Sequence, residues 1–133
     1  MTLLDTHVLI WLTEGSDSLG AEARGLADVA LAEERLAVSA ISFWEIGMLQ
    51  HKGRIELQQP PEAWRAEMLG WGLIEVPVDG NIGISAAALP ALHQDPADRI
   101  IVATSSLAGA TLVTADQRLL DWSGPLRRHD ARI

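Results

Sequence analysis

Short runs of β-branched and aliphatic residues recur along the chain. Each is separated from the next by a longer stretch with apolar residues at helical spacing, and this alternation narrows the fold more than any other feature. Leu3–Asp5, Leu36–Ser39, Ile74–Val78 and Thr111–Thr114 read as strands. Val8–Glu14, Ala21–Arg35, Phe43–His51, Pro61–Trp71, Ile82–Leu89 and Ala97–Ala108 read as helices, with Gly15, Gly53, Gly72 and Gly109 where helices should stop. The loop Gln58-Gln59-Pro60 delivers Pro61 to a first helical turn, where its missing N–H costs nothing. Parallel strands need long crossovers, which the helical segments supply. The expectation is a three-layer α/β domain around a central, mostly parallel sheet.

The length of 133 residues fits a single domain over positions 1–133, with no repeat of fixed period. No apolar stretch approaches a membrane span, and the opening Met1-Thr2-Leu3-Leu4-Asp5 has no leader character, so the expected setting is cytoplasmic, without a membrane. With no cysteine, disulfides, thiolate metal sites and thiol nucleophiles are excluded. A formal net charge of −8 argues against a broad basic face that coats nucleic acid. Acids gathered in one site would account for much of that excess, and bound divalent cations would reverse the local field.

Open parallel sheets bind ligands beyond the carboxyl ends of their strands, so polar residues that end apolar runs are the candidates. Asp5 ends the first strand and Asp116 follows the last; each could equally cap a helix or turn. Asp98 falls in the first turn of the buried helix announced by Ile100-Ile101-Val102-Ala103, where the helix dipole alone would favour it, and Asp95 reads as the cap. Ser42-Phe43-Trp44-Glu45 has the form of a capping box, yet Glu45 also follows the second strand on the same sheet edge. Four converging carboxylates repel one another unless a cation compensates, and an all-oxygen set selects a hard ion such as Mg²⁺ or Mn²⁺. Phosphodiester cleavage is the natural chemistry of such a site. The histidines His7, His51, His93 and His129 lack ligand spacing, and only His7 neighbours a candidate acid. The five tryptophans lie mostly in helical patterns, where packing is their ordinary use.

Four fragments, in this order, resemble the PIN-domain ribonucleases, and specifically the VapC-type toxins of toxin–antitoxin pairs. They are Leu3-Leu4-Asp5-Thr6-His7, Ser39-Ala40-Ile41-Ser42-Phe43-Trp44-Glu45-Ile46, His93-Gln94-Asp95-Pro96-Ala97-Asp98-Arg99-Ile100-Ile101-Val102-Ala103 and Leu112-Val113-Thr114-Ala115-Asp116. The resemblance spans essentially the whole chain. It implies an α/β/α PIN-like fold and a catalytic metal site of Asp5, Glu45, Asp98 and Asp116 holding Mg²⁺ or Mn²⁺, with Thr6 and Thr114 helping to position the acids. It implies an endoribonuclease whose RNA substrate meets cations such as Lys52, Arg54, Arg99 or Arg118. The partners it implies are a cognate antitoxin protein and a second copy in a homodimer. A basic, partly apolar antitoxin segment would suit the acidic site and exposed faces of the Trp44–Leu49 and Trp64–Trp71 helices.

Two other function classes compete. A phospho-acceptor receiver domain gathers acids in the same way but needs a lysine after a late strand, and the only lysine is Lys52. A PIN-fold module that binds protein or RNA without cutting it would keep the fold and lose the chemistry. Nucleotide-binding enzymes are disfavoured by the absence of a Gly-x-x-x-x-Gly-Lys loop or a Gly-x-Gly-x-x-Gly turn.

Overall fold

The computed structural model describes all residues 1–133. In chain order the elements are β1 (Thr2–Leu4), α1 (Thr6–Glu14), α2 (Ala21–Ala32), β2 (Leu36–Ser39), α3 (Ala40–His51), α4 (Pro61–Gly70), β3 (Ile74–Val76), α5 (Gly80–Ala88), α6 (Pro96–Ala108), β4 (Thr111–Thr114), α7 (Gln117–Leu120) and β5 (Arg127–Asp130). The strands form one sheet in the order β3-β2-β1-β4-β5, and every pairing is parallel.

Strand geometry sends alternate side chains to opposite faces, and the core divides accordingly. Leu4, Leu36, Val38 and Val113 face a layer containing Val8 and Leu9 of α1, Ala23, Ala27 and Ala30 of α2, and Trp64 and Met68 of α4. Their neighbours Leu3, Ala37 and Leu112 face Ile101 and Val102 of α6, Leu119 of α7 and Trp122. Helix α5 covers α6 through Ile82 and Ala86 against Ala103. Gly15 and Gly109 take the left-handed conformation at the ends of α1 and α6, as expected of helix stops.

Four features depart from the sequence reading. Strand β5, Arg127-Arg128-His129-Asp130, has no apolar residue, so no hydrophobic pattern announced it; its backbone pairs at the sheet edge with β4 over Thr111–Thr114. The short helix α7 was unforeseen. Helix α2 stops at Ala32 rather than Arg35, because the chain turns through a left-handed Glu34, φ 59°, to enter β2. Helix α3 begins at Ala40, capped by Ser39 Oγ accepting from the Ile41 N–H at 3.2 Å. The Ser42–Glu45 capping box therefore does not form: Ser42 is buried in the first turn and Glu45 lies in the second.

The N-terminus of α2 depends on the segment after β5. Gly20 is its cap residue and has no side chain to offer, so the Glu22 N–H donates instead to the Ile133 backbone oxygen at 2.9 Å, while the Gly20 N–H donates to Ala131 O at 2.8 Å. A Cβ on Gly20 would overlap the Ile133 backbone, whereas a Cβ on Gly25, in the exposed middle of the same helix, meets nothing. The two glycines therefore predict opposite signs. Gly20→Ala should lower stability by about 1–3 kcal/mol through overpacking, and Gly25→Ala should raise it by about 0.5–1 kcal/mol through helix propensity. Urea midpoints at unchanged slope test both.

Candidate active site

In the strand order β3-β2-β1-β4-β5 the connections after β1 and β4 run to opposite sides of the sheet, which opens a crevice beyond their carboxyl ends. Asp5 leaves β1 and Asp116 leaves β4 into that crevice. Each is also a helix cap: Asp5 Oδ1 accepts from the Thr6 N–H and Asp116 Oδ1 from the Arg118 N–H, both at 2.9 Å. Cap and site are thus one arrangement, since a carboxylate offers more acceptor positions than a cap consumes. Asp5 Oδ2 accepts the Thr114 hydroxyl at 2.6 Å.

Two helices bring the other acids. Asp98 lies in the first turn of α6, behind the cap residue Asp95, whose side chain accepts from the Ala97 N–H at 3.0 Å. Glu45 reaches in from α3, its Oε1 2.5 Å from Thr6 Oγ1, which is itself 2.8 Å from Ser42 Oγ. A hydroxyl carries one proton, so Thr6 donates to Glu45 and can take the Ser42 proton in turn. Asp5, Glu45, Asp98 and Asp116 line one open cleft of about 410 Å³, with His7, Trp11 and Asp95 on its walls and Arg118 and Arg132 as its cations.

Burial and mutual repulsion set the electrostatics. Burial pushes Glu45 up to about 7; the Thr6 hydroxyl opposes this and the charges of Asp5 and Asp98 add to it. Asp98 is pushed up to about 6 by burial, opposed by its bond to His93 and reinforced by Asp5, Asp95 and Asp116. Burial also raises Asp5 against the pull of Thr114. Asp116 alone among the four falls below its ordinary range, because Arg118 bonds to it.

The remaining sequence candidates separate. Arg118 is in the cleft, 2.8 Å from Asp116 and 3.5 Å from Asp98. Lys52 and Arg54 are exposed past the far end of α3 from Ser39. Arg99 points away from any RNA path: it is 9% exposed, and its side chain donates to the carbonyls of Ala86, Ala87, Leu89, Leu92 and His93. Those bonds take all five guanidinium N–H donors, so none is left for a phosphate.

His93 is the residue that spacing missed. Its Nε2 lies 2.7 Å from Asp98 Oδ2, and donor atoms of His93, Asp98 and Asp116 all fall within 4.8 Å of one another. The signal was its place five residues before Asp98, across a turn that only Arg99's carbonyl contacts explain.

An all-parallel three-layer domain with a carboxylate-lined cleft at its switch point is the class that this fold and site define. The PIN domain family model matches residues 2–124, and the chain belongs to that family. It is 36% identical over 118 residues to Ribonuclease VapC22 of Mycobacterium tuberculosis, covering 88% of each chain. Its fold resembles that of VapBC2 from Rickettsia felis bound to a promoter DNA fragment, with TM-score 0.68, 16% identity and 96% of each chain covered. It also resembles a toxin–antitoxin complex from Klebsiella pneumoniae, with TM-score 0.64, 21% identity and 98% of each chain covered.

The raised acids fix the sign of a pH effect. A carboxyl whose pKa is raised on folding holds a proton that the unfolded chain gives up, so its contribution is complete below about pH 4.5 and is lost as pH rises through the folded value of about 7 for Glu45. The lowered acids Asp116, Glu75 and Asp130 act oppositely, but their effect is complete by about pH 5. The metal-free protein should therefore lose melting temperature between about pH 5 and pH 7.5, and Mg²⁺ should restore more at the higher pH. A flat profile in chelator would contradict the repulsion.

Proposed function

We propose that this chain is a Mg²⁺- or Mn²⁺-dependent endoribonuclease and the toxin half of a toxin–antitoxin pair, one catalytic domain over residues 1–133. The observation that carries the reading is the meeting of Asp5, Glu45, Asp98 and Asp116, from four separate elements, in one cleft. The relative's name, Ribonuclease VapC22, supplies the substrate class, and the titles of the similar structures supply the antitoxin.

The donor set fits a hard divalent ion: it is dominated by carboxylate oxygens, and two of these acids are held in a raised range that a 2+ charge would relieve. Asp5, Glu45, Asp98 and Asp116 would hold the ion. Bound there, it would polarise a phosphoryl oxygen and supply hydroxide near neutral pH. The chain's own residues do the positioning. Thr6 fixes the Glu45 carboxylate, Thr114 fixes Asp5, and His93 orients Asp98. Arg118, on the rim, and the exposed Lys52 and Arg54 offer charge to the RNA backbone.

A cleft of about 470 Å³ beside α1 and α4 suits the antitoxin. Glu14, Glu56 and Glu67 alternate there with Trp64, Met68 and Trp71, a lining that matches a basic, partly apolar segment. Trp71, 58% exposed, extends that surface. Trp44, equally exposed on α3, offers an anchor for a homodimer.

Asp5→Asn and Asp98→Asn each remove a ligand charge at nearly constant volume. Metal-supported RNA cleavage should fall by about 10²–10³-fold, the equivalent of several kcal/mol of lost transition-state stabilisation, with circular dichroism unchanged. Full cleavage in excess chelator, or wild-type rates in either variant, would overturn the metal mechanism. Absence of any cleavage by the wild-type protein with Mg²⁺ or Mn²⁺ would favour the non-catalytic module.

A further inference from the structure

Arg118 stands two residues beyond Asp116 and folds back over the cleft. Its Nη2 lies 2.8 Å from Asp116 Oδ2 and 3.5 Å from Asp98 Oδ2, and its Nε lies 3.2 Å from Asp116 Oδ1. One guanidinium thus joins the carboxylate that caps α7 to the carboxylate in the first turn of α6. The same two acids, with His93, are the group whose donor atoms lie within 4.8 Å of one another. An ion bound between them would compete with this guanidinium for the same oxygens.

The contrast with Arg99 shows what kind of contact this is. Arg99 is buried and spends every donor on backbone carbonyls. Arg118 has its side chain 59% exposed, and that side chain bonds only to the two carboxylates. Exposed ion pairs are weak and easily exchanged, whereas a guanidinium freed from its carboxylates presents a fork that matches phosphate.

We propose that Arg118 is a tethered cation that occupies the Asp98–Asp116 side of the cleft until a divalent ion displaces it, and that the displaced side chain then meets the RNA phosphate. The inference rests on the ribonuclease reading and adds a coupling to it: binding of the ion makes a phosphate-binding group available. Arg118 is accordingly a positioning residue before the ion binds and an RNA contact afterwards.

Direct titration of the wild-type protein with Mn²⁺, beside Arg118→Gln and Arg118→Lys, reads the first half. Losing an exposed competitor should tighten Mn²⁺ binding about two- to five-fold in Arg118→Gln, with Arg118→Lys in between, because lysine keeps the charge and loses the fork. Binding of a phosphorothioate single-stranded RNA reads the second half. Arg118→Gln should bind it several-fold more weakly than wild type in saturating Mn²⁺ and equally in chelator. The proposal is overturned if Arg118→Gln binds Mn²⁺ no tighter, if Arg118→Lys equals wild type, or if the RNA defect is the same with and without metal. A wild-type protein that does not bind Mn²⁺ at all would instead remove the ribonuclease reading beneath it.

Discussion

Repulsion among carboxylates at one end of the sheet is the constraint around which the polar interior is organised. Asp5 and Asp98 are each only 7% exposed, and neither has a dedicated buried cation of its own. Their charge is met instead by dipoles and by sharing. The Thr6 N–H and the Thr114 hydroxyl hold Asp5, the Thr6 hydroxyl holds Glu45, and His93 and Arg118 reach Asp98. Each of these groups restrains a carboxylate without neutralising the cluster, which leaves an electrostatic demand that a bound divalent ion is suited to meet.

That arrangement explains why the fold was largely legible in the sequence and the site only partly so. Leu36–Ser39 and Thr111–Thr114 are buried on both faces, so their apolar character is continuous and they read directly as strands. The edge strand β5 is built from Arg127-Arg128-His129-Asp130 and is held by backbone pairing to β4, which leaves no hydrophobic trace. The start of α3 was misplaced for a related reason. Ser39 and Ser42 can both cap, and only the path of β2 into the helix selects Ser39.

At the site, Asp5, Glu45, Asp98 and Asp116 were readable because strand ends and helix first turns are positions that sequence marks. Asp5, Asp98 and Asp116 are where helix-terminus chemistry wants a carboxylate in any case, so the local preferences and the site agree rather than compete. Glu45, in the second turn of α3, has no such local support and depends on Thr6 from another element. His93 was not readable, because its approach to Asp98 depends on an irregular turn with a left-handed Ala91, φ 57°, and on a guanidinium seated beneath that turn.

Arg99 shows how adjacent residues divide between stability and chemistry. Asp98 and Arg99 stand side by side in the first turn of α6, yet one faces the cleft and the other the underside of the segment after α5. A buried guanidinium is tolerated only when its donors are satisfied, and five carbonyls satisfy it here without a neutralising carboxylate. Those carbonyls belong to a stretch that leaves α5 and turns before α6, where the backbone lacks regular partners. Arg99 thereby replaces missing secondary structure with side-chain bonds, and the last carbonyl it fixes is that of His93, the residue that meets Asp98. The positive charge nearest to Asp98 in sequence thus acts on the site through the backbone, while direct contact falls to Arg118, twenty residues away.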